Sequence, residues 1–286
     1  MSCLEISLIG SACGKNKYEP RDKTLFLLLC RENPSFYRKK LIENGNIRQL
    51  VKKPFDKEIK EVYSRYSKEI TDPNSFIEIE NDIVNDILKE NPDIEKEDID
   101  RARSTISNSM KKDCGKNMED SIIEKKKYKK GNNRLLIYKD TNHNWELKGF
   151  HDATDGDMVV EIKTRMKETN VRKNDYDLYQ LFGYMLVMQK EKGMITQSYN
   201  KKIYNSTVEN EKEYGIIDIR EEKWNERYIN FYKELNNFFK DFKTYSENKN
   251  FDISKVMKPN EIYAEYDSNG RFYNIKPDFA NIFKCL

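Results

Sequence analysis

Histidine is nearly absent from this chain. Only His143 and His151 occur in 286 residues, so a histidine-based metal site or a Ser-His triad is hard to build. The five cysteines, Cys3, Cys13, Cys30, Cys114 and Cys285, are odd in number, widely spaced and without a CxxC pair. That argues against a zinc site and against a disulfide framework, and an intracellular, non-secreted setting is expected. No apolar run approaches the ~18 residues of a membrane span, so no membrane partner is expected. The opening MSCLEISLIGSACG lacks a basic n-region and carries Glu5 inside its apolar stretch, so no secretory signal is expected. Internal repeats and low-complexity linkers are missing. So is a dominant charge: 52 Lys+Arg face 49 Asp+Glu, a net +3. Any contact with a polyanion must therefore come from local clustering.

What is present is charge of both signs and aromatic bulk. Charged residues make up 35% of the chain, against about 25% in a typical domain, and the mean hydropathy is -0.92. The 18 Tyr, 14 Phe and 2 Trp supply material for a core. Leu25–Asn33 reads as a buried helix. The polar stretch 55–112 reads as helices broken at Asp72-Pro73 and Asn91-Pro92. Strand character appears at Arg134–Tyr138, Trp145–Thr154 and Met158–Arg165. A helix follows over Asn174–Lys192, capped by Asn174 or Asp175 and ended by Gly193. Met194–Thr207 and Glu213–Arg220 alternate like strands. Glu221–Lys243 is an amphipathic helix with Trp224, Tyr228, Phe231, Leu235 and Phe239 on one face. Beyond residue 250 a turn is expected at Asp267–Gly270. The order implies an α/β or α+β sheet domain.

The chemistry concentrates in Gly149–Met166. A tight turn at Asp155-Gly156-Asp157 joins two strand-like segments. With Gly156-Asp157 as the loop, Thr154 opposes Val159, Ala153 opposes Val160 and Asp152 opposes Glu161. With Asp155-Gly156 as the loop, Asp152 still shares the face of Glu161. The period of two adds Lys163 to that face, while Val160, Ile162 and Thr164 point the other way. Two facing acids repel unless something neutralises them. A divalent cation on oxygen ligands, magnesium or manganese, would do so. The plain alternative is a surface hairpin whose acids pair with Lys163 in solvent. Glu119 on an earlier helix offers a third carboxylate, or else a solvated position. Gln180 and Tyr184 share a face of the later helix, where Gln180 could instead be a satisfied core amide.

The arrangement Gly115-Lys116-Asn117-Met118-Glu119, then Asp152, then Glu161-Ile162-Lys163, then Gln180 with Tyr184, resembles the PD-(D/E)XK nuclease superfamily. Within it, the chain is most similar to the lambda-exonuclease and YqaJ group of viral recombination nucleases. Leu8–Ala12 with Gly14–Tyr18 is similar to that group's opening motif. The acid is preceded by His151 where proline is usual, and followed by Ala153 where glycine is common. The group's early arginine has no counterpart before Arg21, so Ser11, Lys15 and Lys17 are the local candidates for gripping a DNA end.

The resemblance implies a restriction-endonuclease-like mixed β-sheet flanked by helices. The resemblance covers roughly residues 1–35 and 110–245, and the chain is expected to divide into a helical N-terminal region over 1–110 partly packed on the core, a nuclease core over 111–246 and an extension over 247–286. The implied activity is a magnesium-dependent DNA exonuclease, with manganese able to substitute and two ions accommodated. It would digest duplex ends 5′-to-3′ in recombination, repair or replication of a viral genome, in host cytoplasm or nucleus. Asp152, Glu161 and the backbone carbonyl of Ile162 would hold a metal, Glu119 would complete the site or bind a second ion, Lys163 would position water, and Gln180 would steady it. The implied partners are double-stranded DNA ends, a single-strand annealing protein and further copies of the chain. An endonuclease on the same scaffold and a catalytically silent nucleic-acid-binding protein remain the alternatives.

Lys125, Lys126, Lys127, Lys129, Lys130 and Arg134 form one basic run, and Arg165, Lys167, Arg172 and Lys173 a second. Each is either a solvated face or a phosphate track. No base-reading motif is visible, so contacts to backbone and shape are expected.

Overall fold

The computed structural model describes residues 2–50, 56–165, 174–199, 202–204 and 215–286. The chain opens with β1 (Ser2–Glu5), a short α1 (Ile9–Ala12), α2 (Arg21–Glu32), α3 (Pro34–Glu43) and β2 (Ile47–Gln49). Three helices follow: α4 (Asp56–Tyr66), α5 (Phe76–Glu90) and α6 (Lys96–Lys126). Next come β3 (Lys129–Lys130), β4 (Leu136–Asp140), β5 (Trp145–Gly149), β6 (Ala153–Asp155) and β7 (Met158–Arg165). The remainder is α7 (Asp175–Met188), β8 (Lys192–Tyr199), β9 (Lys202–Tyr204), β10 (Ile216–Asp218), α8 (Glu222–Asn248), β11 (Ala264–Tyr266), β12 (Phe272–Tyr273) and α9 (Ala280–Phe283). The result is a mixed sheet flanked by helices, in the α+β class expected. Among the described residues, no helix is long and apolar enough to cross a membrane.

Three sheets form. The largest runs β10-β8-β7-β6-β3, with β9 paired to β8; the others run β1-β5-β4 and β12-β11-β2. β7 and β8 are parallel, with α7 as the crossover between them, and β6 and β7 are an antiparallel hairpin. The main core fills the space between α2, α7, α8 and the inner faces of two sheets, with Phe26, Trp145, Phe182, Phe231 and Phe238 fully buried. A separate core joins α4, α5 and the first half of α6 through Val62, Ile83, Ile87, Ile106 and Met110. A third, small cluster packs Ile122 and Ile123 of α6 on Val160 and Ile162 of β7.

Several boundaries differ from expectation. The break expected at residue 110 falls inside α6, a continuous helix of 31 residues. Residues 2–50 belong to the main core, and the C-terminal segment is stitched to them by the parallel pair of β2 and β11, Ile47 opposite Ala264. The stretch Trp145–Thr154 is two strands in different sheets, because β5 takes β1 as a parallel partner while β6 turns onto β7. The α7 helix stops at Met188 through a left-handed Gln189, and Gly193 sits in β8. A Cβ at Gly193 would lie 2.8 Å from Met185 Sδ, so glycine there lets α7 press onto the sheet.

Candidate active site

The hairpin forms in the register that alternation implies. Thr154 opposes Val159 and Ala153 opposes Val160, with Gly156 at φ +56° in the turn, a conformation glycine adopts without strain. β6 begins only at Ala153, so the edge of β7 is open beside Asp152. There the Asp152 side chain takes the role of the missing strand: its Oδ2 accepts a hydrogen bond from the Ile162 N–H at 2.8 Å. A strand residue's N–H and C=O project to the same side, so the Ile162 carbonyl faces that open edge too.

Glu161 and Lys163 lie on the opposite face of β7 from the buried Val160 and Ile162. Glu161 is 1% exposed. Lys163 Nζ lies 2.6 Å from Glu161 Oε1, donates to Gln180 Oε1 at 2.8 Å and stands 3.9 Å from Asp177 Oδ1. The other oxygen, Glu161 Oε2, is buried and has no hydrogen-bond partner among the described residues. An orphan of this kind costs about 1–3 kcal/mol, more when charged, unless something outside the chain satisfies it.

The electrostatics follow from the crowding. Burial, then the neighbouring Asp152, push Glu161 up to about 8. Burial, then Glu119, push Asp152 up to about 6. Glu119 is raised by burial and by Glu161. For Lys163, burial opposes the ammonium, yet Glu161 and Asp177 outweigh it and hold the side chain charged. Burial, followed by Glu161 and Asp152, raises the Tyr184 phenol, which is 5% exposed beside the cluster.

Glu119 reaches the site from α6. The approach is close because Gly115, one turn earlier, has no side chain: a Cβ there would stand 3.1 Å from Thr164 Oγ1 of β7. Among the described residues, no three His, Cys, Asp or Glu side chains form a ready-made metal cage. The donor set is instead a pair of carboxylates with an open-edge carbonyl and Glu119 nearby. Such a hard-oxygen set suits magnesium, and Glu161 Oε2, without a hydrogen-bond partner among the described residues, is the atom such an ion would satisfy.

The other expected residues are placed unevenly. Ser11 is 2% exposed, accepting from Asn16 and donating to Glu19. Lys15 is tied to Glu234 at 2.8 Å. Of the three candidates for a DNA end, Lys17 is the exposed one. Lys125, Lys127, Lys129, Lys130 and Arg134 are exposed and Lys126 half-buried, with Lys130 paired to Asp120. Arg165 ends β7 but its side chain is not described, and Arg172, Lys167 and Lys173 lie outside the described residues. His151 is half-buried, and burial lowers its pKa.

Two residues that matter were not singled out. Asp177, 1% exposed, belongs to the Lys163 cluster, and its position three before Gln180 on one helix face was the available signal. Gly131 donates its N–H to the Asp152 carbonyl at 2.8 Å. A Cβ on it would stand 2.1 Å from the His151 carbonyl oxygen.

No family model matches the chain, and no curated protein matches its sequence. A solved structure titled "Crystal structure of SSO0001" is similar at 12% identity and a TM-score of 0.35, over 71% of this chain and 94% of that one.

Proposed function

We propose that this protein is a magnesium-dependent DNA nuclease that hydrolyses phosphodiester bonds from duplex ends, 5′-to-3′, in the recombination, repair or replication of a viral genome. The observation that carries the reading is the convergence of Asp152, Glu161, Lys163 and Gln180 on one face, with Glu161 Oε2 left without a hydrogen-bond partner among the described residues. The resemblance of Asp152, Glu161-Ile162-Lys163 and Gln180 to the PD-(D/E)XK pattern supports the same chemistry.

Asp152, Glu161 and the Ile162 carbonyl would hold the magnesium ion, and Glu119 is placed to complete the site or serve a second ion. When bound, the ion supplies a more acidic water and charge neutralisation at the phosphate oxygens. Lys163, fixed by Glu161 and Gln180, holds its ammonium where it orients an attacking water and balances negative charge gathering on the phosphate. Gln180 fixes the direction of that ammonium. The exposed lysines from Lys125 to Lys130, with Arg134, provide a track for the backbone that weakens steeply with salt.

The test is digestion of linear duplex bearing a 5′-phosphate, a 5′-hydroxyl or covalently closed ends, with and without magnesium. Release of nucleotides from open ends only, dependent on the metal, is the expected result. Cutting of closed circles would move the reading to an endonuclease, and binding without cleavage in any divalent metal would move it to a silent DNA-binding protein.

A further inference from the structure

On the outward face of the β1-β5-β4 sheet sit three bare apolar side chains. Phe150 is 54% exposed, Ile137 51% and Leu135 41%. The antiparallel register pairs Leu136 with Gly149 and Ile137 with Lys148, and Leu135 and Phe150 are the residues that flank the end of that pairing. The alternation that sends Trp145 and Leu147 into the core sends Lys148 and Phe150 outward. On a chain with 35% charged residues, an apolar cluster at one corner of a sheet calls for an occupant.

Its position points to one. Phe150 is two residues from Asp152, so their Cα atoms lie within about 7 Å. The connection from β3 to β4 runs against the same corner, where Gly131 N–H meets the Asp152 carbonyl at 2.8 Å. That connection brings exposed Lys129, Lys130 and Arg134 to the corner along with Leu135. Cations for phosphates beside an aromatic face are the two parts of a single-strand binding surface, where bases stack without regard to sequence.

We propose that Phe150 and Leu135 form a step, two residues along the chain from Asp152, on which an unpaired nucleobase of the DNA end stacks. The step selects frayed or single-stranded ends over fully paired duplex, and it rests on the nuclease reading above. A protein partner on this patch would leave DNA affinity untouched, and the experiment separates the two.

The full chain is titrated, under EDTA to prevent cleavage, into oligonucleotides carrying 2-aminopurine as the unpaired terminal base, and its fluorescence is followed. Phe150→Ser and Leu135→Ser are compared with Phe150→Trp and with Ile216→Ser, which truncates an exposed apolar residue on β10 instead. The expected result is quenching by the unsubstituted protein, affinity for the frayed end weakened about tenfold with the quench lost in Phe150→Ser, a smaller loss in Leu135→Ser, retention in Phe150→Trp and no change in Ile216→Ser. Cleavage of blunt duplex persists in Ile216→Ser. Unchanged quench and affinity in both serine variants at the corner would overturn the stacking step while leaving the nuclease intact. A protein that neither binds nor cleaves DNA would overturn the nuclease reading and the step together.

Discussion

Two acid–base pairs in one sheet behave in opposite ways. Asp218 ends the edge strand β10, and both of its oxygens are used by Arg220: Oδ1 accepts from Nε at 2.8 Å and from the backbone N–H at 3.1 Å, and Oδ2 accepts from the guanidinium as well. The Arg220 hydrogen bond holds that carboxyl below its usual range. Glu161, two strands away across β8, has one oxygen on Lys163 and the other without a hydrogen-bond partner among the described residues, and burial beside Asp152 moves its pKa up to about 8. The exposed pair is complete in itself. The buried pair leaves Glu161 Oε2 without a hydrogen-bond partner among the described residues, and a chain that needed only stability there would do as well with apolar side chains. On the proposed reading, that unsatisfied oxygen is where a magnesium ion would bind.

Breaking the deficient pair has the largest expected effect. Lys163→Ala is expected to lower phosphodiester hydrolysis on the order of 10³-fold while the circular dichroism spectrum stays native. An activity close to that of the unsubstituted protein would remove Lys163 from the chemistry. Asp177→Asn, which withdraws one of the charges facing Lys163, is expected to cost less, about tenfold in turnover, with DNA affinity unchanged.

A pH series sharpens the contrast. Glu161 rises from an ordinary 4.5 to about 8 and Asp152 from 3.8 to about 6. Between those values the unfolded chain has released protons that the folded one retains, so stability falls as pH rises. In EDTA, the melting temperature is expected to drop from pH 5 to pH 8. Added magnesium, or Glu161→Gln, should flatten the drop. A melting temperature independent of pH in EDTA would contradict the crowding of these acids.

Gly131→Ala tests the backbone that supports Asp152. The added methyl meets the His151 carbonyl, so activity should fall about tenfold with a melting temperature lower by a few degrees, on the scale of other overpacking substitutions. The smallest effect is reserved for the complete pair. Asp218→Asn should leave nuclease activity unchanged and move the melting temperature little, as is usual for exposed ion pairs.

Much of this geometry was readable because it is local. The pairing of Thr154 with Val159 and Ala153 with Val160 follows from a glycine-containing turn and a period of two, and the shared face of Gln180 and Tyr184 from helical spacing. The contacts that escaped are those made by distant partners. Asp177 sits in the first turn of α7, where an acid reads as complementing the helix dipole, and only Lys163 arriving from β7 reveals its other role. The split of Trp145–Thr154 has no local marker beyond Gly149, because it is imposed by β1 pairing from the far end of the chain. Ser11 is expected to stand in for the missing early arginine at a DNA end, but packing of α1 against α7 buries it, with Gly10 set so that a Cβ would lie 2.6 Å from Tyr176.

The most direct measurement is titration of the metal-free protein with Mn2+, read by electron paramagnetic resonance and repeated with Mg2+ as competitor. Binding to the unsubstituted protein is expected, weakened at least about tenfold by Glu161→Gln or Asp152→Asn and unaltered by Asp218→Asn. Equal Mn2+ affinity in the unsubstituted, Glu161→Gln and Asp152→Asn proteins would contradict the account.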